Sequence, residues 1–221
     1  MFKALHPGKD VISISSLVDS LKHEKYDSIL IYKPKGASTL YGPPDLDALP
    51  NGKKLFALGF QTLQQKKMMV KGSQEILCID ATHNTNQYEY QLINLIVPDQ
   101  YGCGYPVAHF LTNCTDINTV TALFKSIKYK VPELQVNCIM TDDDKVLFPS
   151  FARVFGSNIK HLLCLWHIQQ SWNRQLNNKV KVEGFKDELR YKLREILKEK
   201  SKVKFDNLVN NFINKFSAIH H

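Results

Sequence analysis

The chain has 221 residues, of which 43% are hydrophobic and 23% are charged, so it is long enough to bury one large core. No apolar run approaches the ~18 residues that a membrane span needs, and the first residues lack the apolar stretch of a signal peptide. The five cysteines are odd in number and well separated, which indicates free thiols in a reducing, intracellular compartment.

The net charge of +8 is unevenly distributed along the chain. Residues 1–152 hold 15 basic and 15 acidic side chains, whereas residues 153–221 hold 14 basic and 6 acidic ones. A basic segment of this kind suits a partner with a phosphate backbone. A solvated helical surface explains the same charges equally well.

The first 54 residues are weakly patterned. Residues 11–21 are compatible with a short strand or a helix, and residues 28–32 predict a strand. Proline and glycine are frequent over residues 33–54, as is typical of a loop or linker. We therefore interpret residues 1–54 as a poorly defined N-terminal segment.

Clear order is expected from about residue 75 onward. Three strands joined by short turns predict an antiparallel meander over residues 75–80, 90–97 and 105–112. Asp116 is a suitable N-cap for the amphipathic helix that follows, and Pro132 ends that helix. A fourth strand is expected at residues 136–141. A strand, a helix and a strand imply a crossover and parallel pairing of strand four with strand one.

Helices and strands continue to alternate after the fourth strand. Residues 146–155 predict a helix with Pro149 in its first turn, and Gly156 is a reasonable C-cap. A fifth strand is expected at residues 159–165, followed by a helix from Trp166 and two amphipathic helices in the tail. The order β-β-β-α-β-α-β-α predicts a ribonuclease-H-like α/β fold. Its mixed five-stranded sheet would be flanked by helices, with a helical C-terminal extension.

Two neighbouring strands of this sheet are expected to end in carboxylates. Asp80 follows the apolar residues 76–79, which read as a strand buried on both faces, and Asp142 follows the fourth strand. An aspartate at the exit of a buried strand needs a partner, which is either a hydrogen-bonded cap or a metal ion. Because the two strands are neighbours, both carboxylates converge, and this recurrence favours an oxygen-ligand site of the kind Mg²⁺ prefers.

Four short motifs resemble those of the Mutator-like-element (MULE) transposase domain. They read IDATHNTNQY, GYPVA, TDDD and HLLCLWHI, at residues 79–88, 104–108, 141–144 and 161–168. The third motif carries Asp143 where the family has glycine. The resemblance covers about residues 55–175, and each motif falls on the expected element.

The resemblance implies metal-dependent cleavage and transfer of DNA strands. Asp80 and Asp142 would be the first two acids of an Asp-Asp-Glu triad, holding two Mg²⁺ or Mn²⁺ ions that activate a nucleophile. Asp144 also matches a family position, where it would cap a helix or support the metal ligands from behind; direct contact with metal is the less favoured reading. Cys164 and His167 form a Cys-x-x-His pair that we interpret as active-site support. Zinc is the less favoured reading because structural zinc usually has four ligands.

The family's third acid, a glutamate in an Asn-rich context, has no counterpart that we recognise. The glutamates of the tail lie in a Lys-rich helical pattern typical of i,i+4 charge pairs; they are Glu183, Glu188, Glu195 and Glu199. We therefore expect a transposase core at residues 55–175 and a truncated, basic helical insertion at residues 176–221. Without the third acid, this chain alone is expected to be weakly active or inactive.

Two functions stay open at this point. The first is a transposase catalytic core that is incomplete in this chain. The second is a non-enzymatic, transposon-derived protein that holds DNA with the basic side chains Lys192, Arg194 and Lys198. Both imply DNA as the partner and a nuclear location, neither needs a membrane, and either is compatible with a homo-oligomer.

Overall fold

A computed structural model of the chain describes residues 10–23, 25–38, 40–44, 46, 52–83 and 85–217. Its elements in chain order are α1 (Asp10–Lys22), β1 (Ile29–Lys33), a 3₁₀ turn (Gly52–Lys54), β2 (Ala57–Phe60), α2 (Leu63–Gly72), β3 (Leu77–Thr82), β4 (Gln91–Pro98), β5 (Gly104–Thr112), α3 (Ile117–Lys130), β6 (Cys138–Thr141), α4 (Leu147–Phe155), β7 (Lys160–Leu163), α5 (Leu165–Lys179), α6 (Glu183–Lys198) and α7 (Lys202–Phe216). The chain divides into two compact units, residues 1–162 and 163–221.

The strands form one mixed sheet in the order β1-β2-β5-β4-β3-β6-β7. The predicted meander is confirmed as β3, β4 and β5, and β6 pairs with β3 in parallel, as expected. The predicted count of five strands is wrong, because β1 and β2 continue the sheet beyond β5 to give seven. Part of the segment 1–54 therefore belongs to this sheet.

The two faces of the central strands differ in their surroundings. Leu77 and Ile79 of β3 are buried, whereas Cys78 and Asp80 between them are half-buried, so β3 is not buried on both faces as its sequence predicted. The buried side, which we call the core face, carries Leu77, Ile79, Ile93, Leu95, Phe110 and Ile139. The opposite side, which we call the ladder face, carries Cys78, Asp80, Asn94, His109 and Met140, with Asp142 directly after β6.

Helices α2, α3 and α4 share one hydrophobic core with the core face. Met69, Phe124 and Phe151 are completely or almost completely buried in it. Close packing also explains Gly59, because a Cβ atom placed there would lie 2.4 Å from the ring of Phe110. Any side chain at this position would force the ring out of the core.

Helix α1 packs on the ladder face, at the β1-β2-β5 side of the sheet. Val18 of α1 and Leu58 of β2 belong to a second hydrophobic cluster. Leu58 pairs with Leu111 of β5, which shares the pleat side of His109. The helix therefore covers part of the ladder face, and β3, β4 and β6 carry the remainder.

Local signals fix the ends of α3 and α4 as predicted. The Asp116 carboxylate accepts hydrogen bonds from the backbone N–H groups of Asn118 and Thr119. Pro149 is the third residue of α4, where its missing N–H does not interrupt the helix. Gly156 ends α4 at φ 100°, a conformation that glycine adopts without strain.

The second unit consists of α5, α6 and α7, which include the two predicted amphipathic tail helices. These three helices surround an apolar cavity of about 600 Å³, into which Phe185, Leu189 and Phe212 project. Among the described residues, the structure contains no helix of the length and apolar character that crossing a membrane requires.

Candidate functional site

The register of the sheet aligns the two predicted carboxylates. In the parallel β3–β6 pair, Leu77 lies opposite Ile139 and Cys78 opposite Met140. Continued by two residues, this register would place Asp80 opposite Asp142, which follows the end of β6. Adjacent strands lie ~4.8 Å apart, so we expect the two carboxylates to be neighbours where β3 and β6 end, and their convergence stays a prediction.

The row of polar side chains continues across the sheet from Asp80. Asp80 pairs with Asn94 of β4, and Asn94 pairs with His109 of β5. The Nδ1 atom of His109 lies 2.8 Å from Oδ1 of Asn94, and its Nε2 atom lies 3.1 Å from Nε2 of Gln65 in α2. We call Asp142, Asp80, Asn94 and His109 the polar ladder.

The hydrogen bonds of the polar ladder select a neutral His109. The side-chain oxygen of Asn94 can only accept, so Nδ1 of His109 donates to it. The amide nitrogen of Gln65 can only donate, so Nε2 of His109 accepts from it. Burial acts in the same direction and lowers the pKa of His109 below its ordinary value. The imidazole therefore fixes the orientation of the Asn94 amide without adding a charge beside Asp80.

A second set of contacts supports the Asp142 end of the ladder. The Thr141 hydroxyl donates to the backbone carbonyl of Asp142 and lies 2.8 Å from Nε2 of His161. The His161 ring stacks on Phe148 with ring centroids 3.9 Å apart. Burial lowers the pKa of His161, although the charge of Asp143 acts in the opposite direction. These contacts hold the chain rigidly where β6 ends.

Asp144 orders the turn that leads into α4. Its Oδ1 atom accepts hydrogen bonds from the backbone N–H groups of Val146 and Leu147, at 2.5 and 2.8 Å. These bonds fix the Asp144 side chain directly before the helix. Contact of Asp144 with metal stays a prediction.

The donor set suits one hard cation better than two. Within the described part of the chain, no cluster of three or more His, Cys, Asp or Glu side chains could enclose a metal ion. Mg²⁺ commonly binds through one or two carboxylates and completes its coordination with water and substrate phosphate. As two carboxylates, Asp80 and Asp142 match that pattern for a single ion, and the binding of two ions stays a prediction.

The remaining predicted residues belong to the second unit. Cys164 immediately precedes α5, and His167 lies in the first turn of α5 with its ring 4.8 Å from that of Trp166. On α6, Arg194 and Lys198 are four residues apart and share one helix face, whereas Lys192 projects elsewhere. Lys192 pairs with Glu195 at 2.7 Å, and this hydrogen bond raises the pKa of Lys192. The roles predicted for these residues stay predictions.

Sequence reasoning missed Asn94 and His109. Each is the lone strongly polar residue in an otherwise apolar stretch, NLIV of β4 and VAHFL of β5. A polar residue inside an apolar strand needs a partner, and that requirement is the signal that would have found both. Their pairing with each other and with Asp80 depends on the register, which only the structure supplies.

The order of strands and the helices α3 and α4 define an RNase H-like domain. Residues 46–158, about half of the chain, match the family described as zinc finger SWIM domain-containing protein 1/3, RNaseH-like domain, and the chain belongs to this family. No curated protein matches the chain. The predicted fold class is thereby confirmed, and the resemblance to MULE transposases stays a prediction.

Proposed function

We propose that this RNase H-like domain binds DNA at the ladder face, with one divalent ion held between Asp80 and Asp142. The observation that supports the proposal is the register of β3 against β6, in which Cys78 lies opposite Met140; continued by two residues, it would bring Asp80 level with Asp142. The basic excess of the chain, +8, supports a polyanionic partner for the protein, and residues 153–221 contribute all of it. We place such a protein in the nucleus.

Each ladder residue has a role in this proposal. Asp80, which accepts a hydrogen bond of 3.0 Å from the Thr82 hydroxyl, and Asp142 would be the two protein ligands of the ion. Asn94 and His109 would keep the Asp80 carboxylate in place without competing for it. A bound Mg²⁺ or Mn²⁺ would supply positive charge to a backbone phosphate and polarise its oxygens.

The class of activity follows from the number of acids. The MULE resemblance favours a transposase-type core, whose strand cleavage depends on three acids acting together. Among the described residues, no group of three or more such ligands is present to supply a third acid, and the proposed site has the two carboxylates of Asp80 and Asp142. We therefore propose ion-assisted DNA binding as the activity of this chain, with cleavage weak or absent. A non-enzymatic DNA-binding protein derived from a transposon is the second candidate, and it is favoured by the same shortage of ligands.

The test is DNA binding measured by fluorescence anisotropy with and without Mg²⁺. Wild-type protein should bind a labelled duplex more tightly when Mg²⁺ is present, and Asp80→Asn and Asp142→Asn should abolish that gain. Asp143→Asn is the matched control, because it removes the same charge from the adjacent residue and should keep the gain. Equal Mg²⁺ dependence in all four proteins would contradict the proposal.

The two candidates differ in how they engage DNA. A catalytic remnant should nick supercoiled DNA slowly in Mn²⁺, and Asp80→Asn should remove that activity. A purely DNA-binding protein should show no nicking, and its affinity should depend chiefly on basic residues. Changing Arg194 and Lys198 to Glu should then weaken binding and flatten its dependence on salt, because each phosphate contact releases counterions. Lys192→Glu should have the smaller effect, because Glu195 already pairs with Lys192.

A further inference from the structure

The loop between β3 and β4 contains the motif residues Thr85, Asn86, Gln87 and Tyr88. The proposed carboxylate site assigns no role to these four residues. Asn86 organises this loop with its side chain. Its Oδ1 atom accepts hydrogen bonds from the backbone N–H groups of Tyr88 and Tyr90, both at 3.1 Å. Its Nδ2 atom donates to the carbonyl of Tyr90 at 2.7 Å. The preceding residue of the motif, Asn84, lies outside the described residues.

The backbone of this loop is held in an uncommon conformation. Glu89 has φ 57°, in the left-handed region that residues with a side chain seldom occupy. Such strain persists only where the surrounding contacts enforce it, and here the Asn86 hydrogen bonds on both sides of Glu89 do so. The consequence is that the rings of Tyr88 and Tyr90 come together, with centroids 5.8 Å apart.

Tyr90 in turn stacks on Phe56, with ring centroids 4.9 Å apart and an interplanar angle of 26°. The rings border a small cavity of about 140 Å³ that we call the aromatic pocket; it is lined by Ile14, Tyr32, Pro34, Lys35, Phe56, Tyr88 and Tyr90. Tyr88 stands at its edge with 51% of its surface exposed. The pocket therefore combines a flat, accessible aromatic ring with an exposed lysine.

The aromatic pocket lies on the same face of the sheet as the carboxylates. Tyr90 directly precedes β4 and packs against the hydrophobic cluster that contains Leu58 and Leu111 on this face. It precedes Asn94 by four residues, which is roughly 13 Å at ~3.3 Å per residue. Asn94 is level with Asp80. A stacked nucleic-acid strand rises ~3.4 Å per nucleotide, so about four nucleotides connect the two places.

From this arrangement we infer that the aromatic pocket stacks one unpaired nucleobase of a nucleic-acid strand whose backbone passes the polar ladder. This inference rests on the proposed function, because it requires a strand at the ladder face. Aromatic rings stack on every base, and Lys35 provides a cation for the adjoining phosphate. The loop also carries the carboxylate of Glu89, whose negative charge would repel a phosphate, and this side chain is exposed to solvent. The hydrogen bonds of the Asn86 side chain hold the loop so that the ring of Tyr88 is already positioned for this contact.

The experiment uses the full chain and a single-stranded thymidine decamer with 2-aminopurine at its fifth position. Stacking quenches 2-aminopurine fluorescence, so wild-type protein should quench the probe. Tyr88→Ala should remove most of the quenching and weaken binding roughly tenfold. Tyr88→Phe should restore both, because it keeps the ring. Asn86→Ala should reduce the quenching by releasing the loop.

The matched control is Tyr101→Ala, since Tyr101 is 81% exposed in the turn between β4 and β5, at the other end of these strands. It should behave as wild type. A uridine decamer with the same probe distinguishes RNA from DNA as the source of the base, and a fully paired duplex should show no dependence on Tyr88.

Two different failures are distinguishable. If the decamer binds but quenching is absent, or is the same in wild type, Tyr88→Ala and Tyr101→Ala, the stacking inference is wrong while DNA binding stands. If neither the decamer nor a duplex binds at low salt, the stacking inference and the proposed function are both wrong.

Discussion

The core face and the ladder face are built by alternate residues of the same strands. On β4, Ile93 and Leu95 are fully buried beneath helices, whereas Asn94 between them belongs to the polar ladder. On β3, Ile79 is likewise buried on the core face, whereas the adjacent Asp80 is half-buried on the ladder face. One face thus contributes apolar burial, and the other presents carboxylate, amide and imidazole groups in a row. A rigid apolar layer directly behind a row of polar groups holds those groups in fixed positions.

The comparison predicts unequal costs for two adjacent truncations on β4. Ile93→Ala should lower the free energy of unfolding by about 2–5 kcal/mol, because it leaves a cavity in a core where Ile93 is fully buried. Leu92→Ala, on the half-buried opposite face, should cost less than half as much. Urea denaturation measures both. Equal costs would mean that the two faces are packed alike.

Asp27, a carboxylate outside the polar ladder, should contribute to the stability of the fold. Asp27 accepts hydrogen bonds from the Lys130 ammonium at 2.5 Å, from the Tyr41 hydroxyl, and from the backbone N–H of Ile29. Burial alone would raise the pKa of Asp27, but these hydrogen bonds outweigh it and hold the pKa below its ordinary value. Burial and donation to Asp27 raise the pKa of Tyr41 to about 12. Asp27→Asn should therefore lower the free energy of unfolding by roughly 1–2 kcal/mol at neutral pH.

The sign of the pH dependence follows from the lowered pKa. The folded state binds the Asp27 proton less tightly than the unfolded state, so the stabilisation is present above about pH 4 and is lost as the pH falls through the folded pKa. The difference in stability between wild type and Asp27→Asn should close over that interval. Glu133→Gln is the control; Glu133 pairs with Lys66 at the surface at 3.2 Å, and its removal should change little. A difference that persists at low pH would exclude the ion pair as its source.

The smallest effect is expected at His109 of the polar ladder. Because burial lowers its pKa, the folded state resists protonation, and stability should decline as the pH falls from about 6.5 toward the lower folded pKa. Gln keeps a hydrogen-bonding amide but does not titrate, so His109→Gln should flatten that decline. Nuclear magnetic resonance titration of the His109 ring should give a midpoint below the ordinary value for histidine. A midpoint above it would contradict a neutral ladder.

Much of the fold could be predicted from local patterns. The caps at Asp116 and Gly156 and the apolar runs of β3 to β6 are short-range signals, and the structure confirms them. The strand β2 was missed because it has four residues and follows a Pro- and Gly-rich stretch. It lies between β1 and β5, and β5 follows it by about fifty residues, so no local pattern encodes the pairing with β5.

The candidate site could also be predicted only in part, because local patterns reveal some of its residues and long-range pairing determines the others. Asp80 and Asp142 stand out because each follows an apolar strand, and their convergence follows from strand order. Asn94 and His109 are single polar residues whose partners lie on other strands. Their contacts can therefore be recognised only when the register of the strands is known. Asn86 likewise acts through hydrogen bonds to the backbone of its loop. The sequence motif includes Asn86 but does not reveal these hydrogen bonds.

The central claim is that Asp80 and Asp142 form a site for one divalent ion on the ladder face. Calorimetric titration of the full chain with Mn²⁺ tests it most directly, with Asp80→Asn, Asp142→Asn and the control Asp143→Asn measured in parallel. We expect saturable binding of one ion by wild type and Asp143→Asn, and its loss in the other two variants. Binding that survives Asp80→Asn and Asp142→Asn, or no binding by wild type, would contradict it.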